Sequence, residues 1–287
     1  MLDQKKLETI VGVKGTMFDD VLKISVPRKD IRVTVDEFEI IPFMGLTTWV
    51  AFRKGPHQVT MMGDLVVLPD EITVAMSPFI EAGLYATALH NHFVREKPQV
   101  MFMHVEGTAD EEALAQPIRK TLDAIKAVRQ ANPVPAAKKE VAGNLDTAQL
   151  ENVIGTKGEL KDGVFKVVLG RPDVPVKCSR CGDLDINSAM GYNTWAAFQG
   201  TNERAAVCGD FAMLESEVTP VISALHAGGI EVVAIHNHMF FEQPRVVFLH
   251  YWGIGNAEAL ATTFKSALGQ QQKQQAAAGA GESCCSS

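Results

Sequence analysis

The sequence predicts an α+β fold made by tandem duplication, in which two homologous domains each carry an antiparallel sheet with helices packed on it. One observation is a repeat that spans almost all of the 287 residues at an offset of 146, as Trp49 against Trp195 shows. The other is that each copy mixes turn-bounded runs of branched and aromatic residues, which are typical of strands, with segments of helical apolar period. A repeat this long indicates duplicated domains, because each copy can bury its own core.

Both copies have the same predicted order: a helix, two strands, a hairpin, a helix, a second hairpin and a final helix. The middle helix is predicted to begin at an N-cap, Asp70 or Ser216, and to end at Gly83 or Gly229. Near the start of each copy the offset falls to 143, which indicates a three-residue insertion in the second copy. The predicted segments are 3–11, 20–27, 32–40, 47–53, 58–68, 70–83, 85–92, 99–106 and 109–129, then 146–154, 163–169, 174–178, 193–199, 204–214, 216–229, 231–238, 245–252 and 255–270.

The repeat divides the chain into a first domain, 1–130, and a second domain, 145–270. Residues 131–144 are rich in Ala, Pro and Lys and are predicted to be a linker. Residues 271–287 lack apolar periodicity and are predicted to be a disordered tail. Because duplicated domains often reproduce a homodimer, we expect the copies to pack about a pseudo-twofold axis. The oligomeric state stays open.

Composition disfavours several classes of partner. The net charge is −7 and no dense block of Lys and Arg is present, which disfavours nucleic acid. No stretch approaches the roughly 20 apolar residues of a membrane-spanning helix, and none has the pattern of a signal peptide. We therefore expect either a cytoplasmic protein or the mature form of an exported one, and a small molecule is the class of ligand left open.

The cysteines are not part of the duplicated pattern, because the first copy contains none of the five. Cys178 and Cys181 are spaced as a CxxC pair, which fits a redox pair, half of a zinc site or a local disulfide. Cys208 aligns with Met62, which favours a small buried apolar residue.

Histidine is the most informative residue type, because six of the eight histidines lie in one motif that occurs twice. The motif is HNH-x3-E-x-P-x5-H, and both copies keep its spacing without a slip. Imidazole is the commonest metal ligand near neutral pH, so the pattern predicts two similar metal sites. The predicted ligands are His90, His92 and His104 in the first copy and His236, His238 and His250 in the second.

Strand geometry indicates how three imidazoles of one copy can meet. Side chains alternate faces along a strand, so His90 and His92 share a face. If the hairpin loop centres near Lys97, His104 lies opposite His90 and Phe102 lies opposite His92, and opposed residues share a face. Three protein ligands with one open position are typical of catalytic zinc, so zinc is the preferred metal, with copper, iron and manganese as alternatives.

Glu96 and Glu242 follow the HNH motif at the same spacing in the two copies. They are predicted as catalytic residues that handle protons, or as a fourth ligand, and the competing interpretation is a solvated loop glutamate before proline. Asn91 and Asn237 are predicted to point away from the histidine face and either to orient their neighbours or to satisfy backbone groups.

Several runs of the second copy are similar to the bacterial LppY/LpqO-like family, a tandem-duplicated domain of unknown function. They include Gly209-Asp-Phe, Ala234-Ile-His-Asn-His, Glu242-x-Pro-Arg245 and Phe248-Leu-His250, and the resemblance extends from about residue 3 to 270. The resemblance implies exported ancestry, since such domains often follow secretion or lipoprotein signals, and it supplies no reaction.

Three functions fit the sequence. The first is a metal-binding protein with one site in each repeat, and if it is an enzyme, a metal-dependent hydrolase is preferred. The second is a non-catalytic metal carrier or a module that binds a small ligand. The third is a structural protein whose histidines are hydrogen-bonded to one another.

Overall fold

The computed structural model describes the backbone of residues 2–282 and the side chains of residues 2–271. Within this range the two copies fold into matching α+β halves, which confirms the predicted fold class. No helix in the described part of the chain is long and apolar enough to cross a bilayer.

Each half has three α-helices and nine strands among the described residues. The first half contains α1 (Gln4–Val11), β1 (Gly15–Phe18), β2 (Val21–Pro27), β3 (Val33–Val35), β4 (Phe38–Ile40), β5 (Thr47–Lys54), β6 (Val59–Val67), α2 (Ile72–Glu81), β7 (Tyr85–His90), β8 (Glu96–Lys97), β9 (Met101–Ala109) and α3 (Glu111–Ala131). The second half contains α4 (Thr147–Ile154), β10 (Glu159–Lys161), β11 (Val164–Gly170), β12 (Val176–Cys178), β13 (Leu184–Ile186), β14 (Asn193–Gly200), β15 (Ala205–Met213), α5 (Glu215–Ala227), β16 (Glu231–His236), β17 (Glu242–Gln243), β18 (Val247–Gly255) and α6 (Ala257–Glu282).

Six strands of each half form a large antiparallel sheet. The strand order is β1-β2-β5-β6-β9-β7 in the first half and β10-β11-β14-β15-β18-β16 in the second. The three helices of each half bury their apolar residues against one face of that sheet, which makes a separate core for each half. In both sheets the edge strand, β7 or β16, carries the first histidine of the motif at its end.

A small three-stranded sheet accompanies each large one, and the sequence did not predict it. The predicted strand 32–40 is broken at Asp36, which has a left-handed φ of 51°, into β3 and β4. The third strand is β8 in the first half and β17 in the second, and each lies inside the predicted loop of the second hairpin. A two-residue strand is too short to show an alternating pattern, so sequence periodicity could not reveal it.

The face of each large sheet that carries no helices packs against the small sheet of the other half. Ile31 and Val33 of the first half share a core with Val164 and Trp252 of the second. In the reciprocal core, Val21 lies with residues of β12 and β13. The two shared cores join the halves, and this reciprocity is what the expected pseudo-twofold packing requires.

The predicted N-caps Asp70 and Ser216 are wrong. The N-cap of α2 is Glu71, and α5 begins at Glu215 after Leu214. The reason is that a glutamate satisfies the backbone at each helix start, since Glu71 accepts the N–H of Leu68 at 2.8 Å and Glu217 accepts that of Leu214 at 2.8 Å.

A buried arginine ties each of these helix starts to its large sheet. Arg28 donates two hydrogen bonds to Glu71, at 2.8 and 2.9 Å, and one to the carbonyl of Val66. Arg171 repeats the arrangement with two bonds to Glu217, at 2.9 and 3.0 Å. Bidentate pairs of this kind are the strong form of an ion pair. The same interaction therefore fixes the start of α2 and of α5 to the large sheet of its half.

The segments between and after the domains differ in their agreement with expectation. Residues 132–146 connect α3 to α4 without a helix or strand of their own. After Leu268, however, α6 continues to Glu282, through most of the segment predicted to be a disordered tail. Ala and Gln are good helix formers and extend a helix that packing has already started. Residues 283–287 of the predicted tail lie outside the described range.

Candidate metal centre

The six motif histidines lie together where the two halves meet, and we refer to them as the histidine cluster. His90 and His236 end the edge strands β7 and β16, and His104 and His250 lie in the neighbouring strands β9 and β18. His92 and His238 follow two residues after each edge strand. The list of members is therefore His90, His92, His104, His236, His238 and His250.

The predicted register of the hairpin is wrong by two residues. His90 pairs with Phe102 and His104 pairs with Ala88, whereas the sequence placed His104 opposite His90. A shift of two residues leaves every side chain on its predicted face, because faces alternate with a period of two. His90 and His104 therefore do share a face, with ring centroids 5.0 Å apart. The second half has the same register, with His236 against Phe248.

The two trios predicted from the sequence come together as one group. Each ring has one ring of the opposite half that lies closer to it than the rings of its own hairpin do. The cross-half centroid distances are 3.7 Å for His90–His236, 3.6 Å for His92–His250 and 3.9 Å for His104–His238. The distances within a hairpin are 5.0 Å for His90–His104 and 4.7 Å for His236–His250.

Two overlapping sets of histidines have ligand nitrogens within 4.8 Å of one another, and both sets draw on both halves. One set is His90, His236 and His250, and the other is His104, His236 and His238. His236 belongs to both sets, and His92 belongs to neither. Each set thus combines ligands that the sequence had assigned to different sites.

The histidine cluster is buried and electrically neutral at ordinary pH. Burial lowers the pKa of His90 to about 4 and lowers the pKa of the other five imidazoles well below the usual value. A neutral imidazole is the form that binds a metal ion. His236 and His238 are partly exposed as residues, but their ring nitrogens are buried like those of His90 and His92.

Two of the rings are held by carbonyl groups that fix which nitrogen is free. Nδ1 of His104 lies 3.2 Å from the carbonyl oxygen of Gly63, and Nδ1 of His250 lies 2.9 Å from that of Gly209. A carbonyl oxygen only accepts, so each Nδ1 carries the proton and each Nε2 presents its lone pair to the cluster. This is the usual support of a metal-binding histidine.

Two buried aspartates were missed as site residues. Asp64 Oδ2 lies 3.7 Å from His92 Nε2, and Asp210 Oδ2 lies 3.3 Å from His238 Nε2. Burial raises the pKa of Asp64 to about 7 and that of Asp210 well above its usual value. The signal was present in the sequence, because Gly63-Asp64 returns as Gly209-Asp210 within otherwise apolar strands.

Aromatic rings and amides hold the HNH segments in place. His92 stacks on Phe102 and His238 stacks on Phe248, each at 3.3 Å between centroids. Asn237 Nδ2 donates to the carbonyls of Met239 and of Thr87 in the other half, each at 3.1 Å. Asn91 likewise donates to the carbonyl of Phe93 at 2.6 Å, so both asparagines satisfy backbone groups as predicted.

Glu96 lies in β8 and Glu242 lies in β17, the third strands of the small sheets. The backbone of Glu96 pairs with Val35 and that of Glu242 pairs with Cys178. Burial raises the pKa of both carboxyl groups. Among the described residues, no hydrogen bond or ion pair joins either carboxylate to a histidine of the cluster, and their proton-handling role stays a prediction.

The fold and the cluster together define a duplicated α+β protein whose halves share one group of buried histidines. The chain belongs to the DUF1529 family, described as Domain of Unknown Function (DUF1259), whose model matches residues 5–124 and again residues 148–270. The two matches confirm the duplication. The more specific resemblance to the LppY/LpqO-like family stays a prediction.

A search of curated proteins found no match. Two solved structures align with most of the chain. A trimeric bacterial microcompartment shell protein, PduB, is 13% identical, with 93% of each chain covered and a TM-score of 0.25. EtuB from Clostridium kluyveri is 9% identical, with 96% of this chain and 95% of that chain covered and a TM-score of 0.21. Likeness at these TM-scores carries no argument about function.

Proposed function

We propose that this chain is a metal-binding protein in which the histidine cluster forms one composite centre between the halves. The preferred metal is zinc, with copper, iron or manganese as alternatives. One observation carries the proposal: imidazole nitrogens are buried without hydrogen-bond partners. They include both ring nitrogens of His90 and His236 and the Nε2 atoms of His104 and His250.

The energetic cost of that arrangement favours a metal ion over a purely structural role. A buried polar group without a partner costs about 1–3 kcal/mol in proteins, and several such groups lie side by side here. Among the described residues, no hydrogen bond joins one ring of the cluster to another, which argues against mutually hydrogen-bonded histidines. A divalent ion would accept these lone pairs at once.

The overlap of the two ligand sets favours one ion per chain. Each set offers three imidazoles, and both require His236. A neutral imidazole has a single lone pair, so filling one set leaves His236 none for the other, unless the ring loses its proton and bridges two ions. We therefore propose one equivalent of metal, whereas the sequence alone predicted two separate sites.

A three-histidine site with an open fourth position fits a metal-dependent hydrolase, in which the ion activates water. Because the ring nitrogens are buried, water or a small ligand would reach the ion only if the partly exposed residues His236 and His238 moved. Glu96 or Glu242 would then handle protons. The second candidate is a metal carrier, for which all ligand positions would be filled by protein.

Metal analysis of protein purified without chelator and without nickel resin tests the proposal. We expect about one equivalent, lost in His236→Gln and retained in His226→Gln, because His226 is exposed on α5 and lies outside the cluster. A chain that holds no metal and whose melting temperature is unchanged by added zinc contradicts it. Exchangeable water on the bound ion separates the hydrolase from the carrier.

A further inference from the structure

The two halves differ at the turn of the small sheet, which in each half packs against the large sheet of the other half. The turn between β3 and β4 is two residues, 36–37, whereas the turn between β12 and β13 runs over 179–183. The three-residue insertion seen in the sequence therefore lies in this turn. Cys178 takes the place of Val35, since each pairs with the motif glutamate of its own half, and Cys181 belongs to the insertion.

The residue facing this turn from the large sheet of the other half differs too. Glu106 lies opposite Met62 in the first sheet, and its counterpart Trp252 lies opposite Cys208 in the second. The indole of Trp252 packs edge-on against Phe38, with ring centroids 6.3 Å apart. Its Nε1–H donates a hydrogen bond of 3.1 Å to Oδ2 of Asp36. We refer to Trp252, Phe38 and Asp36 as the tryptophan flank.

The equivalent place on the other side, the cysteine flank, consists of Glu106, Cys178 and Cys181. The cysteines form a disulfide, and a carboxylate oxygen and both sulfurs lie within 4.8 Å of one another. All three side chains are buried. Thr108 Oγ1 also donates to Cys181 Sγ at 3.3 Å.

The carboxylate of Glu106 is oriented by one hydrogen bond and has one oxygen free to bind a ligand. Its Oε2 accepts the backbone N–H of Phe240 at 3.0 Å, which orients the carboxylate. Its Oε1 has no partner, although only 2% of the residue surface is exposed. The tryptophan flank solves the same packing problem without a buried carboxylate, so the fold does not require Glu106. An unpartnered carboxylate oxygen beside two sulfurs indicates a role in binding.

We propose that the cysteine flank is a second metal site, open only when the disulfide is reduced, that takes a thiophilic divalent cation such as Zn²⁺ through Cys178 Sγ, Cys181 Sγ and Glu106. In the reduction, two molecules of a low-molecular-weight thiol break the S–S bond and leave as their own disulfide. Two electrons and two protons pass to the cysteines. Metal binding then releases the two thiol protons and forms two metal–sulfur bonds.

The ligand types suit the cation. Zinc binds cysteine sulfur and carboxylate oxygen, and thiolate ligands select it over harder ions. The reductant has a route, because the residues on either side of Cys181, Arg180 and Gly182, are exposed, and Cys181 itself is 6% exposed. In the oxidised state the sulfurs are bonded to each other and the site is closed.

Cobalt(II) titration tests the proposal without an activity assay. The full chain carries Cys284→Ser and Cys285→Ser, so that the two terminal cysteines cannot contribute thiolates. One sample is reduced with a phosphine, which becomes its oxide, and the excess is removed without air; the other stays oxidised. We expect sulfur-to-cobalt charge-transfer absorption in the reduced sample alone. Histidine ligands give no such band, so the histidine cluster does not interfere.

Variants identify the ligands. Cys178→Val, which installs the residue of the first half, is expected to abolish the band, and Glu106→Gln to weaken cobalt affinity by at least about tenfold. Cys208→Met, the matched change at the third described cysteine, is expected to leave the band unchanged. A reduced chain without the band, or a band that survives Cys178→Val, overturns the proposal. The comparison of oxidised with reduced parent chain needs no variant to fold.

Discussion

The tryptophan flank and the cysteine flank occupy equivalent places in the two halves. The first is filled by packed aromatic rings, whereas the second contains a buried carboxylate and two sulfurs. The histidine cluster between them contains the same three residues from each half. The cluster is the same in both halves and the flanks differ because of how many halves build each region. Both halves contribute to the cluster, so a change in either half alters the same centre, whereas each flank is made by one small sheet against one large sheet.

The parts of the frame that support the cluster should be equally important in both halves. Arg28→Met and Arg171→Met each remove the bidentate arginine from a buried glutamate, and breaking a buried ion pair costs up to about 3–5 kcal/mol, although Glu71 keeps its ion pair with Arg129 Nε at 2.6 Å. We expect that loss in the free energy of unfolding for both variants, measured with urea. Arg204→Met, which removes an exposed pair with Glu37, should cost no more than about 1 kcal/mol. A large loss in one half alone would break the comparison.

Metal should stabilise the folded chain through the cluster. A ligand at about 100 times its dissociation constant adds roughly 2.7 kcal/mol to the free energy of unfolding. We expect zinc to raise stability by that amount in the parent chain and not at all in His236→Gln, which removes the histidine common to both ligand sets. His90→Gln, which removes a member of one set only, should retain part of the effect. Equal and complete loss in both variants would contradict the overlap of the two sets.

The sequence predicts that the three histidines of each half share one face of a hairpin. It does not predict that the two groups of three meet in one cluster. Strand alternation placed His90 and His104 on one face, and that placement survived the two-residue error in register because both registers have the same parity. No local pattern records which face of one half packs against the other. The approach of His90 to His236 depends on the reciprocal packing of small and large sheets, and the strands of the small sheets are only two or three residues long, too short to detect from the sequence.

A local sequence pattern also cannot show which acidic residues lie near the histidines. The sequence predicts Glu96 and Glu242 as site residues because they stand close to the HNH motif in the chain, but each lies in the third strand of a small sheet. Asp64 and Asp210 stand far from the motif in the chain, and the sheet brings them beside it, since Asp64 pairs with His104 across β6 and β9. Pairing between strands, rather than separation along the chain, decides which carboxylates approach the imidazoles.

The pH dependence of stability sharpens the contrast between the buried cluster and the surface. In the metal-free chain the pKa of His92 is held well below its ordinary value, chiefly by burial and then by neighbouring rings. The unfolded chain therefore binds a proton as pH falls through about 6.5 while the folded chain does not, so stability falls. Each such group contributes at most about 1.4 kcal/mol per pH unit.

His92→Gln should therefore reduce the slope of stability against pH between 7 and 5.5 by up to that amount, measured by urea unfolding in chelator. The raised pKa values of Asp64, Asp210 and Glu106 act in the opposite direction, since these folded carboxyls take up protons first. They are present in both proteins, so the difference in slope reports on His92 together with the Asp64 carboxyl that lies 3.7 Å from it. His57→Gln, at an exposed position, serves as the control. An unchanged slope in His92→Gln would show that this imidazole is not held neutral.

The smallest expected effect concerns a contact that one half makes and the other does not. Thr87 on β7 donates from Oγ1 to the carbonyl of His238 across the interface at 2.6 Å, and its counterpart in the second half is Val233. Thr87→Val gives both halves the same residue and removes one hydrogen bond, worth about 0.5–1.5 kcal/mol. Thr34→Val, whose bond to the Lys97 carbonyl is 3.4 Å long, should cost less. If Thr87→Val lowers the free energy of unfolding no more than Thr34→Val does, the Thr87 hydroxyl does not help to hold the edge strands together. The contacts between them would then rest on the histidine rings and on the hydrogen bond from Asn237 to the Thr87 carbonyl.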